Sequence, residues 1–254
     1  MMRIMLASQR HEQILRTLRT RGPAEVSELA EQLGVSQATV RRDLEHLQAD
    51  GLLTRVYGGA ISSDNDEPFA QVATVRVAEK DEIARRCAAD LIKDGDTILL
   101  DIGTTAHRLA TMLHGRSVTV ITSSLAVYEE LVDDPDIQLV LLGGVVRRSY
   151  RSMVGFLTEE ALRQVHADRV FLGTSGVLPD GYIVDTTMAE VPIKRAMIAA
   201  SDQVVLLADA SKFPGTGMAR VCGPEDLDVV VTHPMIDART KAAFIDAGVE
   251  VLEV

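Results

Sequence analysis

Residues 26–47 read VSELAEQLGVSQATVRRDLEHL, two short helical patterns on either side of one tight turn. Leu29, Ala30 and Leu33 lay an apolar stripe along the first helix. Val40, Leu44 and Leu47 lay one along the second, at spacings of four and three. Ser27 and Ser36 are placed to cap the two helices, because a serine oxygen accepts from the free N–H groups of a helix start. Gly34 stands where a chain leaving a helix favours positive φ. Val35 fills the corner, and small Ala30 lets the helices approach. The pattern is that of a helix-turn-helix.

Its polar face suggests a use. Gln37, Ala38, Arg41 and Arg42 lie on the first turns of the second helix, away from the apolar stripe. A DNA-reading helix enters the major groove by its N-terminal part. Arg pairs there with guanine and Gln with adenine, and a helix start suits a phosphate. An ordinary helical hairpin with a basic edge has the same look over these residues alone. The residues after Leu47 argue against it. Gly51 ends the helix, and LLTRVYGGAI (52–61) reads as two strands joined by Gly58-Gly59. Helix, helix and hairpin make a winged helix, with Arg55 placed to reach phosphate or the minor groove. The expected DNA-binding set is Ser36, Gln37, Ala38, Thr39, Arg41 and Arg42, with Arg55 and Gly58 of the hairpin. Residues 8–21 form an opening helix whose Ile14, Leu15 and Leu18 pack on this unit, and Gly22-Pro23 stops it.

Residues 36–60, SQATVRRDLEHLQADGLLTRVYGGA, resemble the signature of the DeoR family of bacterial transcription regulators. That signature runs V-S-x-x-T-[VI]-R-R-D-L, then L, G, L, R and a H-G-G-A wing. Val35, Ser36, Thr39, Val40, Arg41, Arg42, Asp43, Leu44, Leu47, Gly51, Leu53, Arg55, Gly58, Gly59 and Ala60 match it. Tyr57 stands where the family usually has His.

The net charge of −11 is unusual for a DNA-binding chain, and its distribution matters. Residues 1–60 hold eight Arg and no Lys against seven Asp or Glu, a balance of +1; the remainder carries −12. The local field near DNA counts for more than the total. The acidic bulk weakens non-specific binding, which depends on phosphate neutralisation. Pairing two reading heads in a homo-oligomer compensates for that. Cys87 and Cys222, the only cysteines, are far apart and in no metal spacing, which fits a reducing cytoplasm. No run of 18 apolar residues is present, so no membrane span is expected. No cofactor, metal site or catalytic residue is expected.

The winged helix-turn-helix occupies residues 1–61. The polar, acidic SSDNDEPF begins a linker within 62–75, and the second domain covers 76–254. Residues 70–93 read as one helix, with Ile83, Ala84, Cys87, Ala88, Leu91 and Ile92 on one face. Beyond it, apolar runs at 97–100, 117–122, 137–142, 168–173, 203–208, 227–232 and 249–254 alternate with helical segments. Residues 145–155 read as irregular or a hairpin. Apolar runs, rather than alternating strands, imply a parallel α/β sheet covered on both faces.

Ligands bind such sheets at the C-terminal strand ends. Here those ends carry Asp101-Ile102-Gly103-Thr104-Thr105, Ser123-Ser124, Gly143-Gly144, Thr174-Ser175-Gly176, and Asp209 with Ser211 and Lys212. Gly103-Thr104-Thr105 before a helix suits a phosphate, through backbone N–H groups, hydroxyls and the helix dipole. Lys194 and Lys212 are available as point charges. Asp101, Asp185 or Asp209 are available to accept from sugar hydroxyls. Taken singly, each loop is equally an ordinary turn; their convergence favours a polar ligand.

The segments DIGTTAHRLA, LLGG, ADRVFLGTSG, VPIKRAMI and LLADASKF resemble the effector domain of the same family, so the likeness covers nearly the whole chain. That domain is similar in fold to ribose-5-phosphate isomerase and glucosamine-6-phosphate deaminase. The resemblance implies a phosphorylated sugar effector. By position it implies effector contacts from Asp101, Gly103, Thr104, Thr105, Ser123, Ser124, Gly143 and Gly144. Arg147 or Arg148 lies near the Gly143-Gly144 loop, and Glu190, Lys194, Asp209 and Lys212 match charged positions. Ser123 stands where many members have Asn.

The expected function is a sequence-specific transcriptional repressor of a carbohydrate operon, released from operator DNA by a phosphorylated sugar. Two alternatives stand beside it: a sugar-phosphate isomerase or deaminase with an attached DNA-binding domain, and an oligomerisation module that has lost its ligand. Enzyme activity is not the favoured reading. The expected partners are operator DNA, the effector and further copies of the chain, with no membrane.

Overall fold

The computed structural model describes residues 7–21, 24–49, 53–56, 58–62, 69–234 and 236–254. The chain divides into two compact units, Met1–Pro68 and Phe69–Val254.

In the first unit, α1 (Ala7–Arg21), β1 (Ala24–Glu25), α2 (Val26–Leu33), α3 (Gln37–Ala49), β2 (Leu53–Val56) and β3 (Gly59–Ser62) enclose one core. Ile14, Leu18, Leu29, Leu33, Val40, Leu44, Leu47 and Leu53 are buried in it, and Leu15 and Val35 pack against its edge. The two expected stripes therefore face each other. Gly34 closes α2 at φ 65°, and Thr39 N–H donates to Ser36 Oγ at 3.2 Å at the start of α3.

Three local expectations change. The N-cap of α2 is Glu25, not Ser27. Glu25 N–H donates to Glu28 Oε2 at 3.2 Å, and Ser27 lies inside the helix with its hydroxyl donating to Glu25. Gly59 belongs to the ladder, where it pairs with Val56, so the turn is not Gly58-Gly59 as expected; Tyr57 lies outside the described residues. Gly58 supplies the positive φ of 83°. Gly59 is needed for a different reason: β1 also pairs with β3, and a Cβ at Gly59 would stand 2.3 Å from Ala24 O. A third short strand thus completes the wing, with no signal in the sequence beyond its length.

The second unit begins with α4 (Phe69–Ala73) and α5 (Val77–Asp90), which the sequence presented as one helix. Arg76, at φ 50°, breaks them. Within the expected linker Phe69–Ala73 is helical, and Phe69 is buried in this unit. The chain continues through β4 (Thr97–Leu100), α6 (Thr104–Thr111), β5 (Thr119–Thr122), α7 (Leu125–Leu131), β6 (Gln138–Leu141), β7 (Val145–Arg147), β8 (Ser152–Val154) and α8 (Phe156–Leu162). Then come β9 (Ala167–Gly173), β10 (Gly176–Val177), β11 (Ile183–Asp185), α9 (Val191–Ala199), β12 (Ser201–Ala208), β13 (Ala219–Cys222), β14 (Val229–Thr232), α10 (Ala238–Asp246) and β15 (Glu250–Glu253).

Seven strands form a parallel sheet in the order β15-β14-β12-β9-β4-β5-β6. Side chains alternate between its faces. Leu99, Ile121, Val170, Leu172 and Leu206 face Met197 of α9 and Phe244 of α10. Ile98, Leu100, Val120, Phe171, Val205 and Leu207 face Ile83 and Cys87 of α5 and Leu109 of α6. Both faces are covered, which is why the strands read as runs. The connection after β9 is not a simple loop: β10, β11 and β13 make a small antiparallel sheet. Residues 145–154 form the β7–β8 hairpin.

Candidate functional site

On the first unit, Ser36, Gln37, Ala38, Arg41 and Arg42 are exposed on the first turns of α3, and Thr39 is half-buried beside them. The fourth member of the VRRD run has another task. Asp43 is buried, and its carboxylate accepts from Arg10 Nε at 2.7 Å and lies 3.0 Å from His11 Nε2. Burial pushes this carboxyl up, but the Arg10 and His11 contacts outweigh it and leave its pKa below the usual range. Asp43 thereby locks α1 against the back of α3 and leaves Arg41 and Arg42 outward. Arg55 of the wing pairs with Glu45 at 3.0 Å in an exposed contact, and Gly58 is exposed at the wing tip.

In the second unit the strand order reverses between β4 and β9. From β4 the chain runs outward through β5 and β6, then returns to place β9 on the other side. A crevice at the carboxyl ends of the strands is expected at such a switch. Two of the expected residues meet there from distant positions. Lys194 Nζ donates to Asp101 Oδ2 at 2.6 Å and to Gly173 O at 2.8 Å, and lies 3.5 Å from Asp185 Oδ2. Gly173 N–H also donates to Asp101 Oδ2, at 2.8 Å. All three charged side chains are buried. Desolvation pulls the lysine pKa down, but the two carboxylates overcome it and hold the ammonium charged, with its pKa raised.

Beside this cluster, Arg147 of the hairpin pairs with Glu190 at the start of α9, both nearly buried. The Arg147 guanidinium stands 5.2 Å from the Tyr150 ring centre. Of the two arginines considered, Arg147 is therefore the inward one; Arg148 is exposed.

Gly103 precedes α6 with extended backbone and no side-chain cap, and Thr104 and Thr105 are buried in the first turn. The first N–H groups of a helix lack intrahelical partners. At the end of β12, Asp209 is buried and accepts from Ser211 N–H at 2.9 Å, with Lys212 half-buried nearby. The remaining expected residues differ in what they do. Ser124 is occupied capping α7 through Val127 N–H at 3.3 Å. Gly143 and Gly144 pack against α8 and β8: Thr158 Oγ1 donates to Gly143 O at 2.8 Å, and a Cβ at Gly144 would stand 2.8 Å from Val154 O.

A family model described as the DeoR C terminal sensor domain matches residues 75–233, and one described as the DeoR-like helix-turn-helix domain matches residues 10–66. The chain belongs to the DeoR family. Among DeoR-family relatives, the transcriptional repressor AccR of Agrobacterium fabrum is 36% identical over 228 residues, covering 88% of each chain. The glycerol-3-phosphate regulon repressor of Escherichia coli is 33% identical over 231 residues, covering 90% of this chain and 91% of the relative. The regulator YulB of Bacillus subtilis is 32% identical over 253 residues, covering 98% of both. Among solved structures, ribose 5-phosphate isomerase A from Methanocaldococcus jannaschii matches with a TM-score of 0.39 and 19% identity over 52% of each chain. The eIF2B-beta2-delta2 complex from C. thermophilum matches at 0.48 with 15% identity, over 95% of this chain and 88% of that one.

This DeoR-family chain is a DNA-binding transcriptional regulator with a sensor domain. No helix among its described residues is long and apolar enough to cross a membrane.

The sequence pattern did not single out several buried polar residues of this DeoR-family sensor domain. Lys80 of α5 is buried, with its ammonium donating to Val72 O at 2.7 Å. Its pKa falls to about 8: desolvation dominates, Asp209 partly offsets it, and the neighbouring charges of Lys212 and Arg108 add to the fall. A signal was present, because Lys80 sits three residues before Ile83, on the buried stripe of its own helix. Tyr150, Ser152 and the full engagement of Asp185 had no such signal.

Proposed function

We propose that this regulator is a repressor that binds operator DNA as a homo-oligomer and leaves it on binding a phosphorylated sugar. Arg41, Arg42, Gln37 and Ala38 read base edges, with Ser36 and Thr39 at the helix start, and Arg55 and Gly58 hold the backbone. The phosphate lies at the start of α6, against Gly103, Thr104, Thr105, Lys212 and Lys80. The sugar lies over Asp101, Lys194, Glu190, Arg147 and Ser123.

One observation carries this reading: charged side chains gathered and buried at the topological switch of the sheet, beside an uncapped helix start. Burying such groups is costly unless they are paired, and a buried charged cluster at a cleft is a functional-site candidate. The names of relatives add support, since one is called a glycerol-3-phosphate regulon repressor and another a lactose phosphotransferase system repressor.

The names of these relatives favour a sensor over an enzyme, since they are called repressors. The alternative of a sugar-phosphate isomerase or deaminase predicts turnover.

The test is fluorescence anisotropy on DNA from the protein's own promoter, with and without a panel of phosphorylated sugars, followed by product analysis. One sugar phosphate should weaken operator binding with no product formed. Unchanged operator affinity at saturation with each compound would sink the induction model. The effector has to prefer one arrangement of the protein over another.

A further inference from the structure

Ser123 Oγ and Ser152 Oγ have no hydrogen-bond partner among the described residues, although both residues are 0% exposed. A buried hydroxyl left unpaired gives up its hydration for nothing, and each such group calls for an explanation. The neighbouring hydroxyls are satisfied. Thr122 Oγ1 donates to Leu100 O at 2.7 Å, Ser124 caps α7, and Thr158 donates to Gly143 O. Among the described residues one further hydroxyl shares this state, Thr232 Oγ1 at the end of β14, on the opposite half of the sheet from β5.

Their positions are related. Thr122 stands in register with Leu100, so Ser123 falls on the sheet face that Asp101 occupies one strand away. Ser152 stands opposite Arg147 in the hairpin, and the two side chains leave it on one face. Arg147 meets Glu190 and Tyr150 on that face. The hairpin is fastened across the end of β5, with Met153 N–H donating to Ser123 O at 2.8 Å and Leu125 N–H to Arg151 O at 2.7 Å. Tyr150 in its turn lies in the field of Lys194, Asp101 and Asp185.

We propose that Ser123 and Ser152 are the hydroxyl-recognising groups of the effector site, binding the polyol part of a phosphorylated sugar away from its phosphate. This rests on the sugar-phosphate reading of the sensor domain and narrows it to ligands with several hydroxyls. A serine hydroxyl both donates and accepts, so each orphan pairs with a sugar hydroxyl of either orientation. A site built to bond a hydroxyl discriminates strongly against an analogue that lacks it. The hairpin then contributes to the site through Ser152 as well as Arg147.

The experiment uses the full chain and its Ser123→Ala and Ser152→Ala variants. Each is melted alone and with glycerol 3-phosphate, ribose 5-phosphate and a set of hexose 6-phosphates, and titrated calorimetrically with the compound that stabilises the wild type most. Ligand-free variants are expected to melt no lower than the wild type, because alanine relieves an unpaired hydroxyl. Their affinity is expected to fall by about 5–10-fold per serine, the value of one lost hydrogen bond. Affinity within twofold of the wild type for both variants overturns the serine assignment and leaves the sugar-phosphate reading intact. A ligand-free Tm well below the wild type also overturns it, since the hydroxyls then have partners in the resting protein. A wild type that responds to none of the compounds overturns both. If one variant does not fold, the other still decides.

Discussion

Replacing Lys194 by Met should separate a buried ion cluster from ordinary packing. The change keeps most of the side-chain volume and removes one positive charge. Asp101 and Asp185, which are 1% and 3% exposed, then face each other with no cation. Removing one partner of a buried pair costs ~3–5 kcal/mol, because the other charge stays behind. For a unit the size of Phe69–Val254, 1 kcal/mol shifts the melting temperature by ~2–4 °C, so a drop of roughly 6–20 °C is expected. Asp101→Asn should cost far less. The amide oxygen still accepts from Gly173 N–H and Lys194, and Lys194 keeps Asp185 as its counter-ion. The loss is then closer to one ordinary hydrogen bond, ~0.5–1.5 kcal/mol. Combining the two changes should be milder than the sum, since only Asp185 stays charged. The chain has no Trp, so melting is followed by circular dichroism on the full protein. If Asp101→Asn proves as damaging as Lys194→Met, or the two effects simply add, the cluster is not acting as a charge-balanced unit.

Arg41→Ala or Arg42→Ala should weaken operator binding by roughly 1–3 kcal/mol where the residue makes a bidentate base contact; equal loss on random DNA in the same anisotropy assay marks a phosphate contact instead. Lys80→Met should change the alkaline side of the stability profile. With its folded pKa near 8 and an unfolded value near ~10.4, the folded chain binds fewer protons between those values. The wild type therefore gains stability as pH rises through that window; urea midpoints of Lys80→Met at pH 7, 8.5 and 10 should lack the rise, while sugar-phosphate affinity falls.

Much of this molecule was legible because its signals are local or periodic. The facing stripes of α2 and α3 followed from residue spacing, and Gly34 from the need for a left-handed exit. The unbroken apolar runs of β4, β9, β12 and β14 followed from a sheet covered on both faces. What stayed hidden depends on distant partners. Lys194 meets Asp101 across 93 residues, and spacing alone does not show a pair so separated. Gly59 looked like a turn residue until β1 arrived beside it. The 70–93 pattern kept its helical period through Arg76, where the backbone breaks without a Gly or Pro to announce it. Asp43 was part of the recognised motif, yet its role in fixing α1 became visible only with Arg10 and His11 in place.

The position of β9 beside β4 also fixes an order of events during synthesis. Thr97 N–H waits for Asp168, 71 residues further along, which takes roughly 4–14 s at ~5–20 residues per second. By then the winged unit and the β4-β5-β6 half have been synthesised with one flank of β4 bare, and Lys194 is still to come. The nascent chain can own a finished DNA-binding head before it owns a sensor, so a truncation between residues 100 and 190 would release a reading head with nothing to restrain it.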